Sequence, residues 1–307
     1  MQFLWKKWWL FALAFFATGI VITIVAVLGL GADGSNVYID NRGIHVVQSG
    51  KETGKVIDEK NLETFSNINI STVSADIELI PSDYFGIEAY LPANANEAKW
   101  NIDNDWLDIN TGSAKSNRLI SIFSFNFSLQ SNYFVKIYYP EGTEFNEAIL
   151  GTTSGDIKIF ETTIENLSMK TVSGDVNAEI AGIADLSITT TSGDIKLTGN
   201  SEIASKISMK TVSGGIEVVD LIWNTLTAET TSGNIRIFGE PNGPANVRTV
   251  SGDVRINTSG LEIDYDISTV AGRINVYGQR IGGSIRSDDS SGNLATIRTT
   301  SGNITLE

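Results

Sequence analysis

The chain has 307 residues, with 36 acidic against 22 basic side chains, a formal charge of −14, one His, no Cys, 29 Gly and 5 Pro. The lack of Cys excludes a disulfide scaffold and a thiolate zinc site, and the single His45 excludes a multi-histidine metal centre. So large an acid excess also excludes nucleic acid as a partner, because phosphate binding needs a basic face.

The first 31 residues contain no acid, and Lys6 and Lys7 precede an uncharged run from Trp8 to Ala32. About 20 apolar residues span the hydrocarbon core at ~1.5 Å per residue, so residues 8–30 predict one transmembrane helix. Trp5, Trp8 and Trp9 stand where interfacial aromatics belong, and the two lysines mark the cytoplasmic side. A cleaved signal peptide has an apolar region of only ~7–15 residues before an A-x-A-like site, shorter than this one. Residues 1–31 are therefore expected to form a cytoplasmic stub and uncleaved anchor, single-pass in the cell membrane, with the C-terminal domain extracytoplasmic. Residues 32–64 are polar with little periodicity and are expected to form an extracellular stalk. His45 lies there with no second ligand nearby, and is expected to be solvated.

Residues 65–140 are a looser version of the repeat that follows. Ile70 to Asp83 alternates around Ala75, and Trp100–Asp103, Trp106–Ile109 and Phe134–Tyr139 are further predicted strands. The aromatics concentrate here, as expected for a capping unit with rings packed in its core. Asp103, Asp105 and Asp108 resemble the start of an EF-hand loop but lack its Gly at the sixth position and Glu at the twelfth. No metal or cofactor is expected.

From residue 141 to 307 an internal repeat dominates. Thr-x-Ser-Gly-Asp/Asn-Ile/Val recurs with glycines at 155, 174, 193, 214, 233, 252, 272 and 302, at spacings of 19, 19, 21, 19, 19, 20 and 30. Ser291 to Leu294 fits a twenty-residue step in the last gap, which would leave a half-coil before Gly302. A period near twenty with strict alternation on both sides of each glycine predicts a solenoid of strands. The inward columns would be Leu150, Met169, Ile188, Met209, Ala228, Val247, Ile267 and Ile297 before the turn. After it come Ile157, Val176, Ile195, Ile216, Ile235, Val254, Ile274 and Ile304. The predicted fold is all-β, a single-stranded β-solenoid (β-helix) of ~20-residue coils behind one N-terminal transmembrane helix.

At the turn, Gly takes positive φ without penalty, and Asp or Asn bonds its own backbone. The Thr three residues before each Gly belongs to the inward set, so a ladder of hydrogen-bonded threonines, each partnered by its stacked neighbours, is expected.

Ser74–Asp83 (S-A-D-I-E-L-I-P-S-D), Tyr139–Gly142 (Y-P-E-G) and the T-x-S-G-D-I repeats resemble the LiaG-like adhesin family of bacterial envelope proteins, over residues 65–307. The resemblance implies a β-strand-repeat ectodomain behind an N-terminal anchor. It carries over no catalytic residues.

Asp156, Asp175, Asp194 and Asp253 form a column with Asn234 and Asn303, and neighbouring coils would give two carboxyls the ~5 Å separation of a retaining glycosidase. Turn chemistry already accounts for that column, and Gly215 and Arg273 interrupt it. The outward rows beside the turn depart from the composition. Three residues after the glycines come Lys158, Lys196, Arg236 and Arg255; four residues before them come Lys170, Lys210, Arg248 and Arg298. Local neutralisation of the Asp column explains such rows, and a stripe tracking a linear anionic wall polymer such as a teichoic acid is the sharper alternative. The final coil, ending at Glu307, is expected to expose an uncovered edge open to self-association. The functional expectation is binding or scaffolding at the cell envelope, with no enzymatic role. The alternatives are an envelope-stress accessory that contacts another membrane protein and, behind it, a polysaccharide-active enzyme.

Overall fold

The computed structural model describes residues 35–40, 43–48, 55–91, 99–111, 133–200, 203–287 and 292–307. It falls into two units. In the first, strands Ser35–Asp40 and Gly43–Gln48 form an antiparallel hairpin with Tyr38 opposite His45. The second holds all the other strands in one sheet. The predicted anchor, residues 8–30, lies outside the described residues, and among those no helix is long and apolar enough to cross a membrane.

The second unit is a stack of coils, each a strand, a sharp corner and a second strand, joined to its neighbours by parallel ladders. Strand Asn67–Ser71 pairs with Glu144–Gly151 and Asp76–Ser82 pairs with Ile157–Lys170, both parallel. The ladders then continue coil by coil to Ala245–Arg248 and Val254–Asn257. Every residue of the two predicted inward columns is at most 1% exposed. Each buried Ile or Leu contributes ~1.5–3 kcal/mol of transfer free energy, so stacking alone gives every coil a core.

The stack departs from chain order at its end. Strands Ala295–Ser301 and Ile304–Leu306, the last in sequence, pair with Ala245–Arg248 and Val254–Asn257 on one side. On the other side they pair with Tyr265–Ala271 and Ile274–Val276. The final coil is therefore interior, and the expectation of an uncovered last coil open to self-association is corrected. The outermost coil belongs to Gly272, and it is closed by antiparallel strands Gln279–Ile281 and Ser284–Arg286. These closing strands lie in the long gap between Gly272 and Gly302, where a further coil step and a half-coil before Gly302 were expected.

The other end is also closed by antiparallel strands. Lys55–Lys60 pairs with Gly86–Leu91, which pairs with Phe134–Pro140. Lys99–Asp103 pairs with Trp106–Asn110 across a two-residue turn, Asn104 and Asp105, both at positive φ as a hairpin of that length requires. The span expected to be a polar stalk thus contains a hairpin and the first strand of the cap. Its alternation is weak because Lys55–Lys60 lies at an edge, where Val56 remains 68% exposed.

The cap aromatics divide between two faces. Phe65, Tyr139 and Phe145 are buried and pack ring against ring, as expected of a cap core. Phe134 and Tyr138 alternate with the buried Val135, Ile137 and Tyr139 and face outward, which corrects the assignment of all these rings to the core.

Candidate functional site

The corner is where the repeat is most constrained, and three interactions build it. Seven of the eight repeat glycines have negative φ, so the turn does not select them for left-handed freedom. They are selected for close approach. A methyl group on Gly174, Gly193, Gly214, Gly233 or Gly252 would come well inside 3.0 Å of the carbonyl oxygen of the preceding corner residue in the stack, where real Cβ atoms do not go. The same contacts give the stacking order of the corners: Ala75, 155, 174, 193, 214, 233, 252, 302, 272.

The buried threonines form a ladder, but their partner is that same carbonyl. From Thr152 onward each hydroxyl donates to the Gly or Ala carbonyl of the neighbouring coil at 2.9–3.2 Å. Asp and Asn add a third rung, each Oδ1 accepting the backbone N–H of the equivalent residue one coil on, at 2.6–3.1 Å. The carboxylates Asp156, Asp175, Asp194 and Asp253 are thereby committed to the stack. Gly215 offers no acceptor, and Arg273 sits on the outermost coil, where none is needed.

The eight basic residues flank this corner on its two outer faces. Lys170, Lys196, Lys210, Arg236, Arg248 and Arg255 are exposed, and Lys158 and Arg298 are half-buried. Four are ion-paired: Lys158 with Glu78 at 3.8 Å, Lys210 with Glu229 at 3.0 Å, Arg298 with Asp266 at 2.7 Å, and Arg255 with Glu307. Arg298 grips Asp266 through both guanidinium nitrogens and holds its carboxyl below the usual aspartate range. None of these partners belongs to the Asp column, so the expected neutralisation of that column is not how the rows are balanced. Among the described residues, Lys170, Lys196, Arg236 and Arg248 have no ion-pair partner.

Between the rows runs a ridge that the sequence reading passed over. Two residues before each corner residue, in stacking order, stand Val73, Thr153, Val172, Thr191, Val212, Thr231, Val250, Thr300 and Val270. The five valines are 42–84% exposed, and they are five of the nine exposed large apolar side chains among the described residues. The T-V-S-G and T-T-S-G variants of the repeat carried this signal.

A second outward cluster covers the cap. Tyr84 lies against Tyr138 and Tyr90 against Phe134, with ring centroids 5.7 and 6.5 Å apart. Between them, Glu88 accepts from the Tyr138 hydroxyl at 2.8 Å, and Lys136 lies over Phe134 and 3.9 Å from Glu78. Partial burial, then the Glu88 carboxylate, push the Tyr138 phenol far above its ordinary value. The period-two parity of Phe134, Lys136 and Tyr138 would have revealed this face. An open groove at this end is lined by Val56, Asp58, Glu59, Lys99 and Trp100. Among the described residues, no group of three or more His, Asp or Glu is placed to hold a metal ion.

Residues 65–307 match the family model described as Toastrack DUF4097. No curated protein matches the sequence. Among solved structures, one described as a "putative adhesin" from Bacteroides fragilis has a TM-score of 0.50 at 17% identity, over 82% of this chain and 97% of its own. One described as a "putative lipid binding protein" from Parabacteroides distasonis has a TM-score of 0.42 at 16% identity, over 84% and 98%. A further "putative adhesin" from the same species has 0.37 at 12%, over 82% and 98%.

Proposed function

The chain belongs to the Toastrack DUF4097 family, and we propose that it is a non-catalytic binding module of the cell envelope. In this reading residues 8–30 anchor it in the membrane and the solenoid holds a linear anionic polymer along the corner. The supporting observation is the line of exposed, unpaired Lys170, Lys196, Arg236 and Arg248 in a chain whose net charge is −14. Rows of cations concentrate a polyanion by their summed field, with affinity that falls as salt rises. The adhesin label of the B. fragilis structure accords with binding rather than turnover. Catalysis is disfavoured because the carboxylate column is occupied by the ladder.

The test is cosedimentation of the full-length protein with cell-wall sacculi, with and without teichoic acid, over a salt series. Salt-sensitive binding that needs the anionic polymer supports the reading, and charge reversal of the four unpaired bases should abolish it. Binding unchanged by that reversal removes it.

The outward aromatic cluster of Tyr84, Tyr90, Phe134 and Tyr138 favours a second reading, a contact between the cap and another membrane protein, since aromatics are enriched at protein interfaces. Photocrosslinking from Tyr90 to a discrete membrane protein would favour it over polymer binding.

A further inference from the structure

The basic rows carry a second period. Lys170, Lys210 and Arg248 stand four residues before their glycines, and all three lie on coils whose ridge residue is Val. Lys158, Lys196 and Arg236 stand three residues after theirs, all on coils whose ridge residue is Thr. On one side of the ridge a base therefore recurs every second coil, and on the other side the same recurrence is displaced by one coil. The positions left over are neutral or acidic apart from Arg255 and Arg298, which pair with Glu307 and Asp266; within the period Lys158 and Lys210 also pair, with Glu78 and Glu229, and Lys170, Lys196, Arg236 and Arg248 do not.

The Val/Thr alternation of the ridge exists in space and not along the chain, whereas the row of bases runs regularly only as far as Arg248, beside which Arg298 stands on the next coil. In sequence order the ridge ends Val250, Val270, Thr300, which breaks the alternation; the interior placement of the last coil restores it. The ridge threonines make no side-chain hydrogen bond within the described protein, so the alternation is not explained by internal bonding.

We infer that the corner ridge and its staggered bases bind an extended glycan that carries an acidic group on successive sugar residues. The inference rests on the anionic-polymer reading above and names the polymer's geometry. Parallel coils are ~4.8 Å apart, so like positions recur at roughly 9–10 Å, about the length of two sugar rings in an extended chain. When successive rings are flipped, their acids project alternately left and right, one per coil, as the bases do. The ridge supplies the rest of the match. An isopropyl group every second coil meets the apolar face of a ring, and the intervening hydroxyl meets its polar edge. A flexible polyphosphate has no apolar face and loses more conformational freedom on binding. A second folded copy is disfavoured by area, because a ridge one residue wide falls well below the ~800 Å² per partner of a stable protein interface. Weak contacts repeated along the stack reach useful affinity through multivalency.

The test uses the full-length protein and three probes: polymannuronate as an extended polyuronate, inorganic polyphosphate as a flexible polyanion, and a neutral β-linked glucan. The informative variant exchanges residues between neighbouring coils, Lys170→Thr with Thr189→Lys and Asn177→Lys with Lys196→Asn. Composition and net charge stay the same while the stagger is destroyed. The expected result is preference of the native protein for polymannuronate over the other two, and a loss of about fivefold or more in the exchange variant. Its unfolding midpoint should stay unchanged, and any loss of polyphosphate binding should be smaller than the loss for polymannuronate. Equal polymannuronate binding by both proteins, or no native preference between the polyanions, overturns the inference and leaves the anionic-polymer reading standing. Failure of the native protein to bind either polyanion overturns that reading itself.

Discussion

The corner makes its strongest claim at Gly193. Replacing it with Ala puts a methyl group inside 3.0 Å of the Gly174 carbonyl oxygen, and that oxygen is backbone, so the two coils must move apart. Several hydrogen bonds cross that junction: Ser192 N to Val172 O at 2.8 Å, Thr190 Oγ1 to Gly174 O at 3.2 Å, and Asp194 N to Asp175 Oδ1 at 2.8 Å. Each contributes ~0.5–1.5 kcal/mol net. Losing all three costs about 3 kcal/mol, and the reduced freedom of the unfolded chain returns ~0.4–1, leaving a destabilisation of about 2–3 kcal/mol. Gly215 is the internal control. It belongs to the same turn one coil on, yet its methyl would meet only Asn234 O at 3.2 Å and Asp194 Oδ1 at 3.7 Å. Gly215→Ala should therefore stay within ~0.5–1 kcal/mol of the parent. Urea unfolding with a common slope reads both values. A Gly193→Ala protein as stable as Gly215→Ala would refute close stacking as the reason for the glycine column.

Four further outcomes are expected. Thr190→Val, nearly isosteric, should lose about 1–2 kcal/mol by removing the donor to Gly174 O, while Thr190→Ser should retain most of the stability; equal values for the two would remove the ladder's energetic role. Gly215→Asn should gain about 0.5–1.5 kcal/mol by supplying the missing acceptor for the Asn234 N–H, and a loss of stability would show that the gap in the ladder is sterically required. Arg298 depresses the Asp266 carboxyl, so that pair's contribution is complete above the unfolded aspartate value of ~3.9 and disappears as pH falls below it. An Arg298→Leu protein should show a flatter acid limb, and an identical limb would count against the pair. Burial pushes Tyr139 up to about 12, with the Thr162 hydrogen bond opposing and Glu161 assisting. Stability should then fall as pH rises from the unfolded tyrosine value of ~10 toward 12, and the fall should be shallower in Tyr139→Phe.

The period of twenty and the alternation around each glycine were enough to read the coils and both inward columns, because a stacked strand exposes its periodicity directly in sequence. The corner was legible in residue type but not in mechanism. Gly in a turn suggests positive φ, whereas here it is demanded by an atom of the neighbouring coil, which a single repeat cannot show. The same limit hid the threonine's partner, since Thr190 bonds a residue 16 positions earlier rather than another Thr. The end of the stack was hidden for a different reason. Strand pairing is decided by whichever edge is free, and the sequence order of Gly272 and Gly302 does not say which coil closes against the other. The basic rows were readable residue by residue. Which of them remain unpaired depends on Glu307 and Asp266, and Glu307 reaches Arg255 only because the last coil lies beside the Gly252 coil.

That interior placement follows from the ladder's chemistry. Gly215 apart, a corner residue in the middle of the stack both donates its N–H to one neighbour and presents a short acceptor to the next. Asn303 does both, donating to Asp253 Oδ1 at 2.6 Å and accepting from Arg273 N at 3.1 Å. Arg273 has no acceptor to offer. Stacked in chain order, it would lie between Asp253 and Asn303 and leave the Asn303 N–H without its rung. On the outside it needs only to donate, and the antiparallel strand Gln279–Ile281 covers the free edge of its own strand Ile274–Val276. Val270 obeys the same logic on the ridge, since beside Val250 it would create two adjacent exposed valines, and beside Thr300 it does not. Arg273, the bulky residue that breaks the column, thus lies at the end of the stack in space although not in sequence, whereas Gly215 leaves a gap that the middle of the stack tolerates.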